Sequence, residues 1–394
     1  MRNIKNALHL EEMQNNNRAL VLKAVHGSPR PTRISVAKAT KLNRATITNI
    51  VSDLIRYELL EEGDAVVRTK GRWPVLLSFS DKRYRIIGVR ITRTYFTVGV
   101  YGLSGTHYDG KKVEHPPGAD AEQVMDTLMQ TVRAYWGSFE CETLGIGVSM
   151  PGPVFLDGEV TVPIVNFAGW EKINVKSRLH QAFQVPVLVE QDANAAALLE
   201  WYRRANNDDV MLYLEVAQGV GSALVVHGQL FKGVRGGAGE IGHMCIDMNG
   251  PVCACGSKGC LERYCSSLLL VQQIRQQFDD PTWTLTRIID AFHQQKPLVV
   301  TLVLEQAYYL GIGIANSINL YNPNLVVVAG EYAAFGSAYL EAVIQSAQQY
   351  ALPALFSDAS IEFPYMNEQF PSSGGANLIL DALMQNPGAF LERG

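Results

Sequence analysis

The chain has 394 residues, of which 47% are hydrophobic and 18% are charged, and its formal net charge at pH 7 is −4. This length suits two or three globular domains, and the composition excludes a disordered or fibrous chain. Residues 1–17 are polar and lack a signal-peptide core, and we expect that no apolar run in the sequence reaches membrane-spanning length. Six cysteines, half of them in one cluster, argue against a disulfide scaffold. These features predict a cytoplasmic protein without membrane insertion.

The charge is unevenly distributed along the chain. Residues 1–85 hold 16 basic and 8 acidic side chains, whereas the remainder holds 18 basic and 30 acidic side chains. A basic segment joined to an acidic body is typical of a module that binds a polyanion. A solvated basic surface without a ligand would give the same balance, so the pattern within the segment has to decide.

The basic segment, residues 1–82, predicts a helix-turn-helix. Residues 15–26 predict a first helix, residues 34–40 a second, and Asn43 is a suitable N-cap for a third helix that runs to about Tyr57. The apolar positions of this third helix recur at helical spacing and should face inward; they are Ile47, Ile50, Val51 and Leu54.

Two short predicted strands, residues 59–64 and 75–79, follow the helices and would form a winged helix with a basic wing between them. In such domains the second helix of the pair enters the major groove by its N-terminal residues. Arg44 could read a base edge, and the wing residues are better placed for phosphate. The predicted DNA-binding residues are Arg44, Thr46, Thr48, Asn49, Lys70 and Arg72. A three-helix domain that docks another protein is the alternative.

Three cysteines and a histidine stand close together in residues 239–262. Cys253, Cys255 and Cys260 form a C-x-C-x4-C motif within a glycine-rich loop, and His243 precedes them. A Cys3His set is suited to a closed tetrahedral zinc site, and four protein ligands would make that zinc structural. A redox pair or three unrelated buried thiols are the alternatives.

Residues 83–394 alternate strands and helices, which predicts an α/β fold. The predicted strands are residues 86–91, 95–100, 143–149, 187–190, 210–216, 222–226 and 324–329. The predicted helices are residues 121–136, 195–202, 272–296, 302–318 and a closing helix at 376–384.

Several motifs in this order resemble the ROK family of bacterial sugar kinases and sugar-responsive repressors. The most specific motif is residues 253–262, and the others are residues 239–243, 190–194, 150–153 and 166–170. With the winged helix in front, the whole chain resembles the transcriptional regulators of that family. The resemblance implies a two-lobed actin/hexokinase-like (ribonuclease H-like) body after residue 82, with the last helix closing back on the first lobe.

The resemblance also implies a sugar pocket in a cleft between the lobes. By motif match its contacts would be Asn166, Asp192, Glu240, His243 and Glu262. Carboxylate and amide groups can take adjacent sugar hydroxyls in pairs, and a site built in this way rejects ligands that lack them. One ring nitrogen of His243 could bind zinc while the other meets the sugar. A pair of helix-capping residues is the alternative role for Asp192 and Asn194.

The segment that would hold ATP phosphates departs from the family's kinases. Their Asp-x-Gly-Gly-Thr hairpin is matched here by residues 90–94, Arg-Ile-Thr-Arg-Thr, which lack the aspartate and both glycines. A second phosphate loop, residues 217–222, is partly kept. Because phosphoryl transfer depends on positioning and charge neutralisation, we expect no kinase activity and no catalytic residues.

The sequence therefore predicts a DNA-binding transcriptional regulator, a repressor of carbohydrate metabolism that senses a sugar or sugar phosphate beside a zinc ion. Its expected partners are a double-stranded DNA operator, the sugar effector, and a second copy in a homodimer or dimer of dimers. A carbohydrate kinase with an accessory DNA-binding head, or a regulator controlled by a protein partner, are the alternatives.

Overall fold

The computed structural model describes residues 10–65, 75–116, 118–155, 169–204, 210–365 and 370–391. The chain forms two compact units. The first comprises residues 1–195 and 368–394, and the second comprises residues 196–367. All six cysteines lie within the described residues, and each is a free thiol.

Helices and strands alternate along much of the described chain, as an α/β fold requires. The helices are α1 (Leu10–His26), α2 (Arg33–Thr40), α3 (Arg44–Arg56), α4 (Ala121–Tyr135), α5 (Val175–Phe183), α6 (Asp192–Arg204), α7 (Glu262–Cys265), α8 (Ser267–Phe278), α9 (Leu285–His293), α10 (Pro297–Tyr321), α11 (Ser337–Tyr350), α12 (Pro353–Asp358), α13 (Ser373–Gln385) and α14 (Gly388–Leu391). The strands are β1 (Leu60–Ala65), β2 (Val75–Phe79), β3 (Tyr84–Ile91), β4 (Tyr95–Tyr101), β5 (His107–Glu114), β6 (Glu142–Met150), β7 (Val187–Gln191), β8 (Val210–Val216), β9 (Val220–Val226), β10 (Gln229–Leu230), β11 (Leu325–Gly330) and β12 (Ser360–Glu362).

The N-terminal region has the predicted order of three helices and an antiparallel strand pair, β1 with β2. Asn43 caps α3 as expected, because its side chain accepts a hydrogen bond from the Thr46 amide at 2.8 Å. α1 begins at Leu10, five residues before the predicted start, and Glu11 and Glu12 in its first turn suit the positive end of the helix dipole. The predicted wing residues Lys70 and Arg72 lie outside the described residues.

The sheet of the first unit has the strand order β5-β4-β3-β6-β7. β3, β6 and β7 are parallel, whereas β4 and β5 run antiparallel to their neighbours. Apolar residues of α4 and α5 pack with the sheet in one core. α13 packs against β3, β6 and β7 as well. The carboxyl ends of the three parallel strands therefore meet at one edge.

Hydrogen bonds of Asp81 and Asn15 are among the contacts that join the N-terminal region to the rest of the first unit. The Asp81 carboxylate accepts hydrogen bonds from the Ser104 amide at 2.8 Å and from the Tyr108 hydroxyl at 3.1 Å. On α1, the Asn15 side chain donates to Asn386 at 2.7 Å and accepts from the Gly388 amide at 2.6 Å. The first and last helical regions of the chain are thus joined directly.

The sheet of the second unit has the order β10-β9-β8-β11-β12, with β8, β11 and β12 parallel. Its larger core gathers apolar residues of α7–α11. α10 is long and apolar enough, by length and composition, to cross a membrane. The expectation that no apolar run reaches this length was therefore wrong. Its apolar character has a packing explanation, since eleven of its residues are buried and core helices share this composition.

Several elements departed from the sequence expectations: α5, α11, α12, β10 and β12 were not predicted, and three further differences have a physical reason. β5 was missed because its residues are almost all exposed, so this edge strand has no alternating apolar pattern. Residues 272–296 form two helices, because the chain leaves α8 at Asp279 with a positive φ of 48° and restarts at α9. α6 begins at Asp192, three residues earlier than predicted, so Asn194 lies inside the first turn.

Candidate metal centre and ligand site

The segment that carries Glu240 and His243 lies against the start of β9. A short 3₁₀ turn covers Ile241–His243. A Cβ on Gly242 would come within 2.2 Å of the Val220 carbonyl oxygen, so only glycine allows this close approach. The backbone therefore holds both side chains against a rigid strand.

The cysteine loop folds back on the same segment. The Cys253 amide donates to the Ser257 carbonyl at 2.8 Å, and the Leu261 amide donates to the Met244 carbonyl at 2.9 Å. Gly259 has a φ of +64°, and a Cβ there would meet the Asp247 carbonyl oxygen at 1.7 Å. This turn brings both ends of the C-x-C-x4-C motif to one place.

The structure brings together all four predicted metal ligands, His243, Cys253, Cys255 and Cys260. One ligand atom from each lies within 4.8 Å of all the others. The Cys255 and Cys260 sulfurs are 3.6 Å apart, and His243 Nδ1 is 3.8 Å from the Cys253 sulfur. A tetrahedral zinc with bonds of about 2.3 Å to sulfur would place two sulfurs about 3.8 Å apart. The arrangement therefore fits a metal ion.

Two of the thiols differ in acidity when no ion is bound. A hydrogen bond from the Ser257 backbone lowers the pKa of Cys255 to about 7. Burial, together with the neighbouring thiols of Cys253 and Cys255, raises the pKa of Cys260 to about 12. A cation at the centre would remove this difference, because metal binding requires each ligand to be deprotonated.

The two glutamates that flank the metal ligands are both half-buried in the second unit. Glu240 immediately precedes the turn that carries His243. Glu262 starts α7, and its carboxylate accepts a hydrogen bond from the Val220 amide at 3.2 Å. Val220 belongs to the partly kept second phosphate loop, so a protein carboxylate satisfies a backbone amide of that loop. The sequence did not indicate this contact.

The remaining predicted sugar contacts belong to the first unit. Asp192 follows directly after β7, at the carboxyl edge of the parallel strands. Its neighbourhood is ordered by Glu190, which is buried and accepts hydrogen bonds from the Asn194 side chain at 2.9 Å and from the Gln191 amide at 3.0 Å. Asn166 lies outside the described residues.

The β3–β4 turn carries residues 92–94 of the segment that the sequence matches to a phosphate hairpin. The Thr92 hydroxyl donates to the Tyr95 carbonyl at 2.7 Å and accepts from the Tyr95 and Thr94 amides at 3.1 and 3.3 Å. The turn therefore satisfies its own amides with its own side chain, and these amides already have a partner before any phosphate arrives.

A cavity of about 380 Å³ in the second unit lies beside the N-terminus of α8. Glu331, which follows β11, accepts a hydrogen bond from the Ser267 hydroxyl at 2.5 Å on its wall. A carboxylate thus sits at the helix N-terminus, the position that otherwise favours an anionic ligand.

The predicted DNA-binding residues on α3 differ in exposure. Arg44, Thr48 and Asn49 are exposed, whereas Thr46 is half-buried. Arg33 on α2 donates to the Thr48 carbonyl at 3.0 Å and to Glu62 at 3.0 Å, which fixes α3 against β1.

Similar proteins of known sequence are sugar-responsive regulators by name. The xylose repressor of Caldicellulosiruptor bescii is 28% identical over 387 residues, which cover 94% of this chain and 97% of that protein. The DNA-binding transcriptional dual regulator NagC of Escherichia coli is 28% identical over 345 residues, which cover 82% of each chain.

Solved structures agree with these sequence matches. A ROK family transcriptional regulator, described as a homologue of the E. coli MLC protein, has a TM-score of 0.80 at 25% identity and covers 96% of this chain and 99% of its own. A ROK family glucokinase from Streptomyces griseus, solved with glucose and AMPPNP, has a TM-score of 0.64 at 25% identity and covers 75% of this chain and 98% of its own. The predicted resemblance and the actin/hexokinase-like fold are confirmed. Because residues 86–382 match the ROK family profile, this chain belongs to the ROK family.

Proposed function

We propose that this chain is a DNA-binding transcriptional regulator, a repressor of carbohydrate-metabolism genes, that senses a sugar or sugar phosphate in the cytoplasm. One combination carries the proposal. A helix-turn-helix region precedes a ROK body in which the four predicted metal ligands converge, while protein groups accept hydrogen bonds from amides of the two predicted phosphate loops. Relatives named xylose repressor and NagC match most of this chain and support the same function.

DNA binding is assigned to the region that contains α1–α3. Its capped third helix presents small and polar residues to solvent, and residues 1–85 carry twice as many basic as acidic side chains. Phosphate contacts by these basic residues release counterions, so operator affinity should fall steeply as salt rises. The division into residues 1–82 and 83–394 remains our proposed boundary between the DNA-binding domain and the effector body.

Sugar binding is assigned to Asp192, Glu240, His243 and Glu262, together with Asn166. Zinc would be held by His243, Cys253, Cys255 and Cys260, where it would supply structural cross-linking of the loop. His243 Nδ1 faces the thiols, which leaves Nε2 for a sugar hydroxyl. The carboxylates and the imidazole then distinguish sugars by pairing adjacent hydroxyls.

A kinase function is the less favoured candidate. Three hydrogen-bond donors that could otherwise contact phosphate already have a protein acceptor. The acceptors are the Thr92 hydroxyl, the Glu262 carboxylate and the Glu331 carboxylate. The two carboxylates would also repel phosphate. We therefore assign Asp192 to hydroxyl recognition and no residue to catalysis.

Regulation requires a ligand that binds the DNA-bound and free states with different affinity. A homodimer, or a dimer of dimers, would match the two-fold symmetry of a palindromic operator. Control by a protein partner would be indicated if no sugar binds.

Three measurements on the purified chain test this function. Xylose, N-acetylglucosamine, glucose and their phosphates are screened by thermal shift, where a ligand at a hundredfold its Kd should add about 2.7 kcal/mol. The same panel with ATP and magnesium should give no phosphorylated product. Genomic DNA fragments selected by the chain should be released by the active sugar or require it. Clear sugar turnover, or DNA affinity that is flat between low and moderate salt, would overturn the proposal.

A further inference from the structure

The outer face of α3 is defined by its buried side. Ile47, Val51 and Leu54 are fully buried and mark the inner stripe of the helix. At 100° per residue the opposite face passes through four exposed positions; these are Ala45, Asn49, Ser52 and Arg56. Asn49 lies in the middle of this row, between two residues with very short side chains. Short neighbours let a helix approach the floor of a DNA groove closely.

The polar neighbours of Asn49 have their donors engaged within the helix. The Thr48 hydroxyl donates to the Arg44 carbonyl at 2.9 Å, and the Ser52 hydroxyl donates to the Thr48 carbonyl at 2.8 Å. Arg56 is paired with Asp53 at 3.0 Å. The Asn49 amide, in contrast, has no hydrogen-bond partner among the described residues. It therefore offers both a donor and an acceptor to an incoming surface.

The chemistry of this amide matches one base edge in particular. In the major groove adenine presents the N7 acceptor beside the N6 donor, and an asparagine amide can pair with both at once. Arg44, at the first position of α3, lies nearer the buried stripe than the centre of the outer face. Its long side chain suits guanine or phosphate at the margin of the contact.

We propose that Asn49 is the principal base-reading residue of this protein and that it selects an adenine at one position of each operator half-site. This inference rests on the proposed DNA-binding function and names the specificity within it. Thr46 and Thr48 then shape the helix, and Arg33 holds it in position without reading sequence.

The test begins with selection of binding sites from a random DNA pool by the full-length wild-type chain. The selected half-site should contain one strongly preferred adenine. Asn49→Ala should lose that preference and bind the selected site about five- to 150-fold more weakly, while its salt dependence stays unchanged because the residue is neutral. Asn16→Ala, the same substitution at an exposed position of α1, should select the wild-type site.

A chemical substitution in the DNA tests the same contact without altering the protein. Replacing the preferred adenine by 7-deazaadenine removes the N7 acceptor, so the wild-type chain should lose at least about fivefold in affinity. The Asn49→Ala chain should be indifferent to this replacement.

Different outcomes bear on the role of Asn49 and on the proposed DNA-binding function. A wild-type chain that selects no sequence would refute the proposed regulator. If the Asn49→Ala chain selects the same base as the wild-type chain at every position, the role of Asn49 is refuted. It is also refuted if the substitution removes a preference for guanine and not one for adenine. Affinity of the wild-type chain that does not respond to 7-deazaadenine would refute it as well.

Discussion

Two loops of this ROK protein, the cysteine loop of the second unit and the β3–β4 turn of the first, use their polar groups in opposite ways. At the cysteine loop, three thiols and the ring of the nearby His243 converge, with their ligand atoms within 4.8 Å of one another. In the β3–β4 turn, the Thr92 hydroxyl satisfies the amides of Thr94 and Tyr95. The cysteine loop leaves its ligand atoms available to an ion, whereas the β3–β4 turn satisfies its amides with its own side chain.

In the proposed function this difference separates recognition of a sugar from phosphoryl transfer. Recognition of hydroxyls needs only fixed carboxylates and amides, whereas phosphoryl transfer also needs open donors and a metal-holding aspartate at the phosphates. A sensor requires the ligand-binding groups beside the cysteine loop, and it does not require free amides in the β3–β4 turn. Substitutions at the metal site, the ligand site and the β3–β4 turn challenge this contrast, and one in the N-terminal region tests a separate pH effect.

The largest effect is expected from Cys255→Ser. Loss of one thiolate should abolish metal binding, disorder the loop and eliminate the sugar response, because structural zinc sites contribute about 10–16 kcal/mol of apparent binding energy. Non-specific DNA binding should survive, since no metal ligand lies in α1–α3. Metal content by mass spectrometry and thermal unfolding measure the loss. Cys245→Ser, an exposed cysteine of the same loop, is the control, and a Cys255→Ser chain with full metal content and normal sugar response would contradict the contrast.

The stability of the N-terminal region should depend on pH through His26. Protons also compete with a metal ion for the ligands of the cysteine loop, so the two effects have to be separated. Burial lowers the pKa of His26 from 6.5 to about 4. Between these values the unfolded chain binds more protons than the folded chain, so stability falls as pH falls. Going from pH 7 to 5 should cost about 2 kcal/mol.

His26→Gln should remove that part of the pH dependence. Denaturant unfolding of both chains at pH 7 and pH 5, with bound metal measured in parallel, separates the two sources. Equal pH slopes for the wild-type and variant chains would mean that His26 is not the source.

A smaller effect is expected from Glu262→Gln. Removing the charge weakens the hydrogen bond from the Val220 amide, which should cost about 1 kcal/mol of stability, and should abolish the sugar-induced thermal shift. Glu305→Gln, an exposed position on α10, controls for the loss of a negative charge. A variant that keeps the wild-type sugar response would remove Glu262 from the ligand site.

The smallest functional effect is expected from Thr92→Val. The isosteric change leaves the amides of the turn without their acceptor and should cost about 0.5–1.5 kcal/mol in denaturant unfolding. It should not create kinase activity, because no aspartate is restored. Thr94→Val, on the exposed side of the turn, should be close to neutral. ATP turnover by the Thr92→Val chain would show that the closed turn alone had prevented catalysis.

Much of the candidate site could be predicted from sequence because its residues are close neighbours in the chain. The cysteine spacing and the preceding histidine lie within 18 residues, so local turn chemistry brings them together. Asn43 likewise predicts the start of α3, because its side chain caps the helix locally. Contacts over long separations were not predictable in this way. Nothing near Ser267 indicates Glu331 as its partner 64 positions later, and nothing near Val220 indicates Glu262.

Fold prediction failed where burial does not follow periodicity. β5 is an edge strand with exposed residues on both faces, so it resembles a loop in sequence. α10 is buried on much of its surface and therefore resembles a membrane span by composition. The burial of β5 and of α10 depends on which other elements cover them. A local sequence pattern does not contain that information.

The contacts of Asn15 with Asn386 and Gly388 have a genetic consequence. A stop codon at position 386 would spare every metal ligand and every assigned sugar contact, yet it would remove both of these hydrogen-bond partners of Asn15. Selection for constitutive expression of the regulated genes should therefore recover nonsense alleles very late in the reading frame, alongside the missense alleles expected in α3.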